Sequence, residues 1–359
     1  MSEDKIKLEQ FKEVCTQLID ETKTLNDGTD YALKAYLCVN LFMSHLEIFP
    51  SDAEPSGPMI KKVNDAIQII RTVNTESFGT SFYPKKTVVS VLSDKQNKYE
   101  FEDELSTLFS NVWFNMTDDI YFEESYDSLV ERFKLNDLDA TTLFQGKKVL
   151  DAGCGSGKFA CAISRLGARH VTGVDLNKNS IAFAGKQAVK ANLDHKMDFK
   201  TGSVCELPFD TDSFDFIWSN GVIHHTTDYS GAIKDIYRVL KKGGQFFIYV
   251  NGRWGMLEVL TDALKEICRS IPPSFIKNYC ESIGMHTGRI YWLIDNLYAP
   301  YEWKSREDVI SILENAGFQV NKQLTRGLEI DQIEMVSQNI PYARLKYGDA
   351  QLKFLCTKN

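Results

Sequence analysis

The chain has 359 residues, enough to bury a large core and to form two domains or one elaborated domain. Hydrophobic residues make up 43% of it and charged residues 25%, as in an ordinary globular protein. The net charge of −8 provides no basic field, which argues against a nucleic-acid substrate and leaves small-molecule substrates open.

The sequence carries no signal for export or for the membrane. The N-terminal residues, MSEDKIKLEQ, are charged and lack the apolar core of a signal peptide. No uncharged apolar run approaches the roughly 18 residues that a membrane span needs. The eight cysteines form no CxxC pair, which is typical of small buried thiols in a reducing compartment. These features predict a cytoplasmic protein without membrane contact.

Residues 1–115 are predicted to form a mainly helical accessory domain. Apolar spacing indicates one helix over 6–19 and a second over 31–42. Prolines and small residues between 50 and 58 break the pattern, and a third helix is predicted over 60–73. The run 87–92 could be a strand or a helix, and 102–114 is predicted to be helical.

Residues 116–359 have a different pattern, in which short β-branched runs alternate with helices. Seven strands are predicted, at KKVLDAG, HVTGVDL, DFKTGSV, FDFIWSN, GQFFIYV, 318–325 and 352–357. Helices are predicted over 158–166, 179–191, 229–240 and 306–316. The alternation predicts an α/β fold with a doubly wound, mostly parallel seven-stranded sheet. The aromatic, mostly helical segment 254–303 is longer than a connection requires. It is predicted to be a cap over a site or an oligomer surface, which leaves a homodimer open.

The stretch VLDAGCGSG (149–157) places glycines and an acid at the end of the first predicted strand of the sheet. In an open parallel sheet, ligands bind at the carboxyl ends of the strands. The spacing fits neither the dinucleotide motif G-x-G-x-x-G nor the phosphate-binding loop G-x-x-x-x-G-K-[ST]. Asp151 would repel a pyrophosphate and suits a cationic ligand better. Asp175, which ends the next strand, can accept both hydroxyls of a ribose.

Four segments in order resemble a known family. They are D-x-G-C-G-x-G at 151–157, the acid at 175, Leu-Pro-Phe at 207–209 and R-V-L-K-K-G-G at 238–244. This series resembles class I S-adenosylmethionine-dependent methyltransferases, in particular the small-molecule and quinone-biosynthesis types. The resemblance covers about 120–325 and nothing in 1–110. It implies S-adenosylmethionine as the cofactor, S-adenosylhomocysteine as the product, and methyl transfer to an O, N or C atom of a small organic molecule.

The resemblance also assigns residues to the cofactor. It implies that Asp151 holds the amino end, Asp175 the ribose hydroxyls and Leu176 the adenine. Ser203 stands where many members of the family carry Asp, which weakens the expected adenine contact. The full set of implied cofactor residues is Asp151, Gly153, Cys154, Gly155, Gly157, Asp175, Leu176, Ser203, Val204, Asn220, Gly221 and Tyr126.

The segment SNGVIHHTTD supplies two candidates for a general base, His224 and His225, because histidine titrates near neutrality. Adjacent side chains diverge, so one of them at most is expected to face the substrate, and we favour His225. Adjacent histidines cannot readily share one ion and no third ligand stands at a recognisable spacing, so no metal site is predicted. The candidate substrate-binding residues are Arg253, Trp254, Tyr298 and Tyr301.

Three other interpretations stay open at this point. A regulatory protein could keep the cofactor pocket without catalysis. A nucleic-acid methyltransferase could use the N-terminal domain as a reader, although the acidic balance and the absence of an N-P-P-Y-type motif at 219–222 oppose it. A dehydrogenase is the weakest of the three.

Overall fold

A computed structural model describes residues 3–25, 30–48, 53–75, 117–327 and 332–359. The predictions for 76–114 lie outside the described residues. The helices are α1 (Glu3–Thr22), α2 (Tyr31–Glu47), α3 (Ser56–Thr75), α4 (Ser125–Lys134), α5 (Ala140–Phe144), α6 (Lys158–Arg165), α7 (Lys178–Lys190), α8 (Tyr229–Val239), α9 (Met256–Cys268), α10 (Pro273–Ser282), α11 (Thr287–Tyr298), α12 (Arg306–Asn315), α13 (Gln332–Ser337) and α14 (Ala343–Tyr347). The strands are β1 (Lys148–Ala152), β2 (His170–Asp175), β3 (Met197–Thr201), β4 (Phe214–Asn220), β5 (Leu240–Asn251), β6 (Phe318–Gln323) and β7 (Gln351–Lys358).

The described chain divides into two compact units. A helical unit contains the described part of residues 1–109 together with 254–299 and 340–348. An α/β unit contains the described part of residues 110–253 and 300–339 together with 349–359. Within the described ranges, no helix combines the length and the apolar character that crossing a membrane requires.

The sheet of the α/β unit confirms the predicted fold class. Its seven strands run in the order β3-β2-β1-β4-β5-β7-β6, and every pair is parallel except the two pairs that β7 makes. The connections change direction between β1 and β4, which makes the carboxyl ends of these two strands the topological switch point. The register places Asp151 of β1 beside Trp218 of β4.

Both faces of this sheet are covered by apolar side chains, as expected for parallel strands that are buried on both sides. On one face Trp218 stacks on Phe247 with ring centroids 4.2 Å apart. On the other, residues such as Ile217 and Ile248 pack against α8 and α12. This packing holds the strand ends that carry the polar residues in fixed positions.

The helical unit has one core that joins the N-terminal helices to α9–α11. The rings of Phe42 and Trp292 meet edge to face, 5.2 Å apart. The segment 254–299 therefore shares a core with α1–α3, whereas the sequence-based division placed it as an insertion in the second domain. Local periodicity shows that a helix has an apolar face but not which distant helix covers it, so this pairing was missed.

Helix α3 begins four residues earlier than the predicted start at 60. Its first turn contains Pro58, which is tolerated there because the first amides of a helix have no partner within the helix. The carboxylate of Glu54 accepts hydrogen bonds from the amides of Ser56 and Gly57, at 2.8 and 3.2 Å. Proline therefore marks the start of this helix rather than a gap before it.

His45 on α2 is fully buried, and neither ring nitrogen has a hydrogen-bond partner. Burial, with a smaller contribution from charge repulsion by the nearby Lys346, lowers the pKa of His45 to about 3. The ring of Tyr347 lies edge-on, 6.2 Å away. The pKa of Lys346 itself is lowered to about 8 by burial, so Lys346 titrates at higher pH than His45.

We expect His45 to make the folded protein sensitive to acid. His45 binds a proton near pH 6.5 in the unfolded chain but only near pH 3 in the folded chain. The free energy of unfolding therefore falls as the pH drops from 6.5 to 3. The loss is about 1.4 kcal/mol per pH unit, or about 2 kcal/mol at pH 5. Denaturant unfolding at neutral pH and at pH 5 measures it. His45→Leu should reduce the difference in unfolding free energy between the two pH values, and His195→Leu, at an exposed position, should leave that difference unchanged. An unchanged difference in His45→Leu contradicts the prediction.

Candidate functional site

The loop after β1 has a backbone that requires glycine. Gly153, Gly155 and Gly157 have φ values of 82°, 51° and 80°, a region that side chains with a Cβ rarely adopt. The amides of Gly153 and Cys154 both donate to the carbonyl oxygen of Val174 at the end of β2, at 2.8 and 2.9 Å. The loop is thereby fixed across the carboxyl ends of two neighbouring strands.

Two of these glycines also have no room for a side chain. A Cβ on Gly153 would lie 2.4 Å from both methyl groups of Val222, and one on Gly157 would lie 2.7 Å from the Cβ of Ala184. The loop therefore packs against the segment after β4 on one side and against α7 on the other. These two glycines let the loop backbone lie directly against the side chains of Val222 and Ala184, at the switch point where a ligand is expected.

Gly153→Ala is expected to destabilise the protein by about 2–4 kcal/mol, through backbone strain and the collision with Val222. Gly243→Ala is the matched control, because Gly243 has a φ of 73° but nothing within 4 Å of its Cβ position. The control should show the strain alone, about 1 kcal/mol. Denaturant unfolding of both variants measures the difference, and equal losses would contradict the close packing of this loop.

Asp151 is buried at the end of β1 with one carboxylate oxygen unused. It is 2% exposed, it accepts a hydrogen bond from the amide of Ala160 in α6, and its Oδ2 has no partner. Burial, with a smaller contribution from the charge of the nearby Asp175, raises the pKa of Asp151 to about 8. A buried carboxyl group with an unsatisfied oxygen is costly unless a partner completes it. The site therefore suits a cationic donor at this oxygen.

Asp175, at the end of β2, accepts a hydrogen bond from the glycine loop. Its Oδ2 accepts from the amide of Gly155 and its Oδ1 from that of Asn177, both at 2.9 Å. Burial raises the pKa of Asp175, while these two hydrogen bonds oppose the rise. Each carboxylate oxygen can accept a second bond, so the side chain has capacity for a ribose diol. Leu176 follows it and is 73% exposed, which offers an apolar surface at the strand end.

The remaining residues predicted at the cofactor's adenine side have local roles. The hydroxyl of Ser203 accepts from the amide of Cys205 at 3.1 Å, and Val204 is buried. Cys154 is buried, and its sulfur would lie 2.8 Å from a Cβ on Gly173. Their assignment to the cofactor stays a prediction.

At the end of β4, Asn220 is engaged by a residue that the sequence analysis missed. Arg132 of α4 donates from Nη1 to Asn220 Oδ1 at 2.9 Å. Gly221, with a φ of 76°, donates to the carbonyl oxygen of Tyr249 at 3.0 Å. Arg132 shares the buried face of its helix with Leu129 and Phe133. An arginine at the spacing of an apolar stripe is the signal that could have identified it.

The segment before the sheet contacts the glycine loop through Tyr121. Its hydroxyl donates to the carbonyl oxygen of Ser156 at 2.6 Å, and its ring is buried against Phe122 and Phe183. Tyr126, the residue assigned to the cofactor, lies under the guanidinium of Arg165 at 4.6 Å instead. The structure thus brings Tyr121 to the loop, and a role of Tyr126 at the cofactor stays a prediction.

His224 and His225 form a short 3₁₀ turn, Ile223–His225, just after β4. The amide of Asn251 donates to His224 Nδ1 at 3.3 Å, so in the neutral ring of His224 the proton is on Nε2. His225 Nδ1 lies 2.7 Å from the carbonyl oxygen of Pro300, which can only accept. Nδ1 of His225 therefore carries the proton, and its Nε2 has the lone pair. The two neighbours have opposite tautomers.

An aromatic stack supports the histidines. The ring of Tyr301 is stacked on the ring of His224 and also on that of Trp303. The two rings are nearly parallel in each pair, and their centroids are 4.9 Å apart. His225 meets the edge of Tyr301 at 4.6 Å. The amide of Glu302 donates to the carbonyl oxygen of His224 at 2.7 Å. Tyr301, a predicted substrate residue, is thus in direct contact with both histidines.

The other three predicted substrate residues are placed differently. Tyr298 is buried in the helical unit, where its hydroxyl donates to the carbonyl oxygen of Ile271 at 3.0 Å. Trp254, in the same unit, is 56% exposed and has a φ of 78°. Arg253 belongs to the α/β unit, where its carbonyl oxygen accepts from the amide of Asp349 at 2.9 Å. Substrate contacts of these three residues remain predictions.

Residues 150–248 match the protein-family model described as "Methyltransferase domain". The match spans the glycine loop, Asp175, Asn220 and the two histidines, on the sheet order given above. Residues 150–248 therefore form a methyltransferase domain, and with the motifs and the sheet order they are similar to class I S-adenosylmethionine-dependent methyltransferases, whose cofactor is S-adenosylmethionine.

Curated relatives include sterol and antibiotic methyltransferases. Sterol 24-C-methyltransferase ERG6B of Gibberella zeae is 30% identical over 55% of this chain and 48% of its own length. The 27-O-demethylrifamycin SV methyltransferase of Amycolatopsis mediterranei is 28% identical over 47% of this chain and 64% of its own. A solved structure of a putative sarcosine dimethylglycine methyltransferase from Galdieria sulphuraria has a TM-score of 0.45 and 17% identity, over 73% of this chain and 99% of its own. The chain thus spans about half the length of the first of these curated relatives.

Proposed function

We propose that this protein transfers a methyl group from S-adenosylmethionine to an O, N or C atom of a small organic molecule. The observation that carries the proposal is the buried, half-satisfied carboxyl group of Asp151 beside a loop of three glycines with positive φ. The residues fit the cofactor. Asp151 Oδ2 can accept from the ammonium of its methionine end, and Asp175 has capacity for the ribose hydroxyls. The named relatives act on a sterol and on a rifamycin, which supports a small organic acceptor.

The proposed chemistry requires alignment and the removal of one proton. Bound S-adenosylmethionine supplies a methyl group on a positively charged sulfur. The glycine loop and Asp175 orient the adenosyl end, and such positioning contributes on the order of 7–11 kcal/mol to lowering a barrier. His225 Nε2 accepts the proton that the acceptor loses as the acceptor atom bonds to the methyl group. The bond from Nδ1 to the carbonyl of Pro300 keeps the lone pair on Nε2.

His224 is proposed to position this base rather than to take the proton. Its Nδ1 lone pair is used by the amide of Asn251, and its ring is stacked on Tyr301. Contact with His224 and Tyr301 limits the motion of the His225 ring. The proton acceptor and its support thus come from the turn after β4 and from the segment 300–303.

The experiment that tests the function is a transfer assay with a radiolabelled methyl group. The protein is incubated with S-adenosylmethionine labelled in its methyl group and with fractions of a small-molecule extract, with tRNA and DNA in separate reactions. Label in a small organic product, with an equal amount of S-adenosylhomocysteine, supports the proposal. Binding of the cofactor without any label transfer would favour a regulatory protein, and label in nucleic acid would overturn the assigned substrate class.

A further inference from the structure

The helical unit contains a cleft along α2 that is lined by none of the residues assigned to the cofactor or the acceptor. Its volume is about 540 Å³, within the range of sites that hold small molecules. The end of α10 and Lys62 of α3 line it together with one face of α2. The lining residues of α2 recur every three or four positions: Tyr36, Val39, Asn40, Met43, Ser44 and Glu47. The cleft is thus built entirely from elements of one compact unit.

The end of α10 forms a wall of the cleft that is fixed by a Schellman motif. The amide of Met285 donates to the carbonyl oxygen of Cys280, and that of Gly284 to the carbonyl oxygen of Glu281, both at 3.0 Å. Gly284 has a φ of 76°, the left-handed conformation that this motif requires. Met285 and the preceding Ile283 both line the cleft. This wall is therefore held by backbone hydrogen bonds and is formed before any ligand binds.

Helix α10 runs beside α2 in the same direction. The rings of Tyr31 and Phe275 meet edge to face, 5.9 Å apart. Burial, then the charge of Cys280 and then that of Tyr36 raise the pKa of Tyr279, which places the two tyrosines near one another. The contacts thus advance along both helices together. The two tyrosines define one end of the cleft, and the end of α10 lies further along α2.

The cleft is long, with polar groups at both ends and apolar side chains between them. Helix α2 rises about 16 Å from Tyr36 to Glu47, at about 1.5 Å per residue. Lys62 belongs to the Glu47 end, because α3 begins only nine residues after α2 ends. The apolar side chains between the ends are Val39, Met43, Ile283 and Met285. This arrangement suits an elongated ligand with an apolar body.

Glu47 and Lys62 give one end of the cleft a charge of each sign. Neither residue makes an ion pair with another residue in the described part of the chain. An anionic head group would be attracted by Lys62 and repelled by Glu47, and a cationic head group would meet the reverse. A hydroxyl group can accept from the ammonium of Lys62 and donate to the carboxylate of Glu47. The two residues together therefore favour an uncharged hydroxyl.

We propose that this cleft binds an uncharged, elongated apolar alcohol, with its chain along Met43 and Met285 and its hydroxyl between Glu47 and Lys62. Methionine side chains are flexible and polarisable, so they adapt to a chain of variable shape. Ile283 at the cleft is 54% exposed, and covering it removes apolar surface from water. The inference does not depend on the proposed function, because the cleft shares no residue with the cofactor site.

The test is a fluorescence titration of the full chain at pH 7 with N-phenyl-1-naphthylamine, an uncharged probe that brightens in apolar sites. Bound probe is then displaced by three ligands with the same chain, 1-decanol, decanoate and decylammonium. We expect one probe per chain in the cleft. Displacement by 1-decanol should need about 5-fold less ligand than displacement by either charged ligand, the range for one partly exposed charge contact.

Variants place the probe in the cleft and test its polar end. Ile283→Asp should weaken the probe and 1-decanol by about 10-fold or more, because it puts a charge on the apolar wall. Ile69→Asp is the matched control, since Ile69 of α3 is 37% exposed and does not line the cleft. Relative to 1-decanol, Glu47→Gln should favour decanoate by about 5-fold, and Lys62→Gln should favour decylammonium by as much.

The contrary results are equally specific. A probe that stays bound in Ile283→Asp, or is lost equally in Ile69→Asp, overturns the location, and so does a wild-type protein that does not bind the probe. Decanoate or decylammonium that displaces the probe as well as 1-decanol overturns the hydroxyl assignment. A dimer that sedimentation detects and that Ile283→Asp dissociates would assign this face to a second copy of the chain. The circular dichroism spectrum of each variant shows that the fold is retained.

Discussion

His225→Ala is expected to slow methyl transfer by about 10²–10⁴-fold while cofactor affinity stays within about 3-fold of wild type. The reason is the tautomer set by the carbonyl of Pro300, which leaves His225 Nε2 as the nitrogen that can take a proton. The measurement is the turnover rate with the acceptor found in the labelling assay, together with calorimetry of S-adenosylhomocysteine. Added imidazole should restore part of the rate, because it can occupy the space of the missing ring.

His224→Gln is the matched control for this prediction. It removes a neighbouring ring whose lone pair already accepts from the amide of Asn251. We expect a loss of about 10-fold or less, from a less well-held His225, and no response to imidazole. A larger loss in His224→Gln than in His225→Ala would reverse the two roles, and wild-type rates in both variants would remove the histidines from the mechanism.

Asp151→Asn is expected to stabilise the protein without ligand and to weaken cofactor binding by about 100-fold. The folded chain holds a proton on Asp151 up to about pH 8, whereas the unfolded chain releases it near pH 4. Stability therefore falls as the pH rises from 4 to 8, at about 1.4 kcal/mol per unit, and Asn removes this cost. The same substitution removes the negative charge that a bound ammonium requires.

Thermal unfolding and calorimetry test the two halves of this prediction. The unfolding midpoint at neutral pH should rise by several degrees in Asp151→Asn. The control is Asp215→Asn at the other end of the sheet, where bonds from Lys241 and from the amide of Lys148 hold the pKa of Asp215 below its usual value despite some burial. Asp215→Asn should lower the unfolding midpoint and leave the affinity for the cofactor unchanged. A destabilised Asp151→Asn with normal affinity would contradict the role of Asp151.

The sequence predicted the sheet well because its strands have strong local signals. The β-branched runs at β1, β2 and β4 and the glycines after β1 identified both the fold class and the loop at the switch point. Asp151 and Asp175 were found because they end strands, where parallel sheets bind ligands. The antiparallel insertion of β7 between β5 and β6 has no such local signal, since register depends on partners distant in sequence.

The details that decide the chemistry were less accessible from sequence. Arg132 is an ordinary charged residue on a short helix until its buried position beside Asn220 is known. The opposite tautomers of the two histidines depend on Pro300 and Asn251, which are 75 and 27 residues away from their partners. These contacts come from tertiary packing and not from local spacing.

The most direct test of the account is calorimetry of S-adenosylhomocysteine binding at pH 7 in two buffers of different ionisation enthalpy. The account predicts one bound ligand per chain and a net release of protons, because Asp151, with a pKa of about 8, must lose its proton to pair with the ammonium. Asp151→Asn should abolish the release. An absence of binding, or a proton release that is the same in the variant, would contradict the claim that the crevice after β1 holds the cofactor through Asp151.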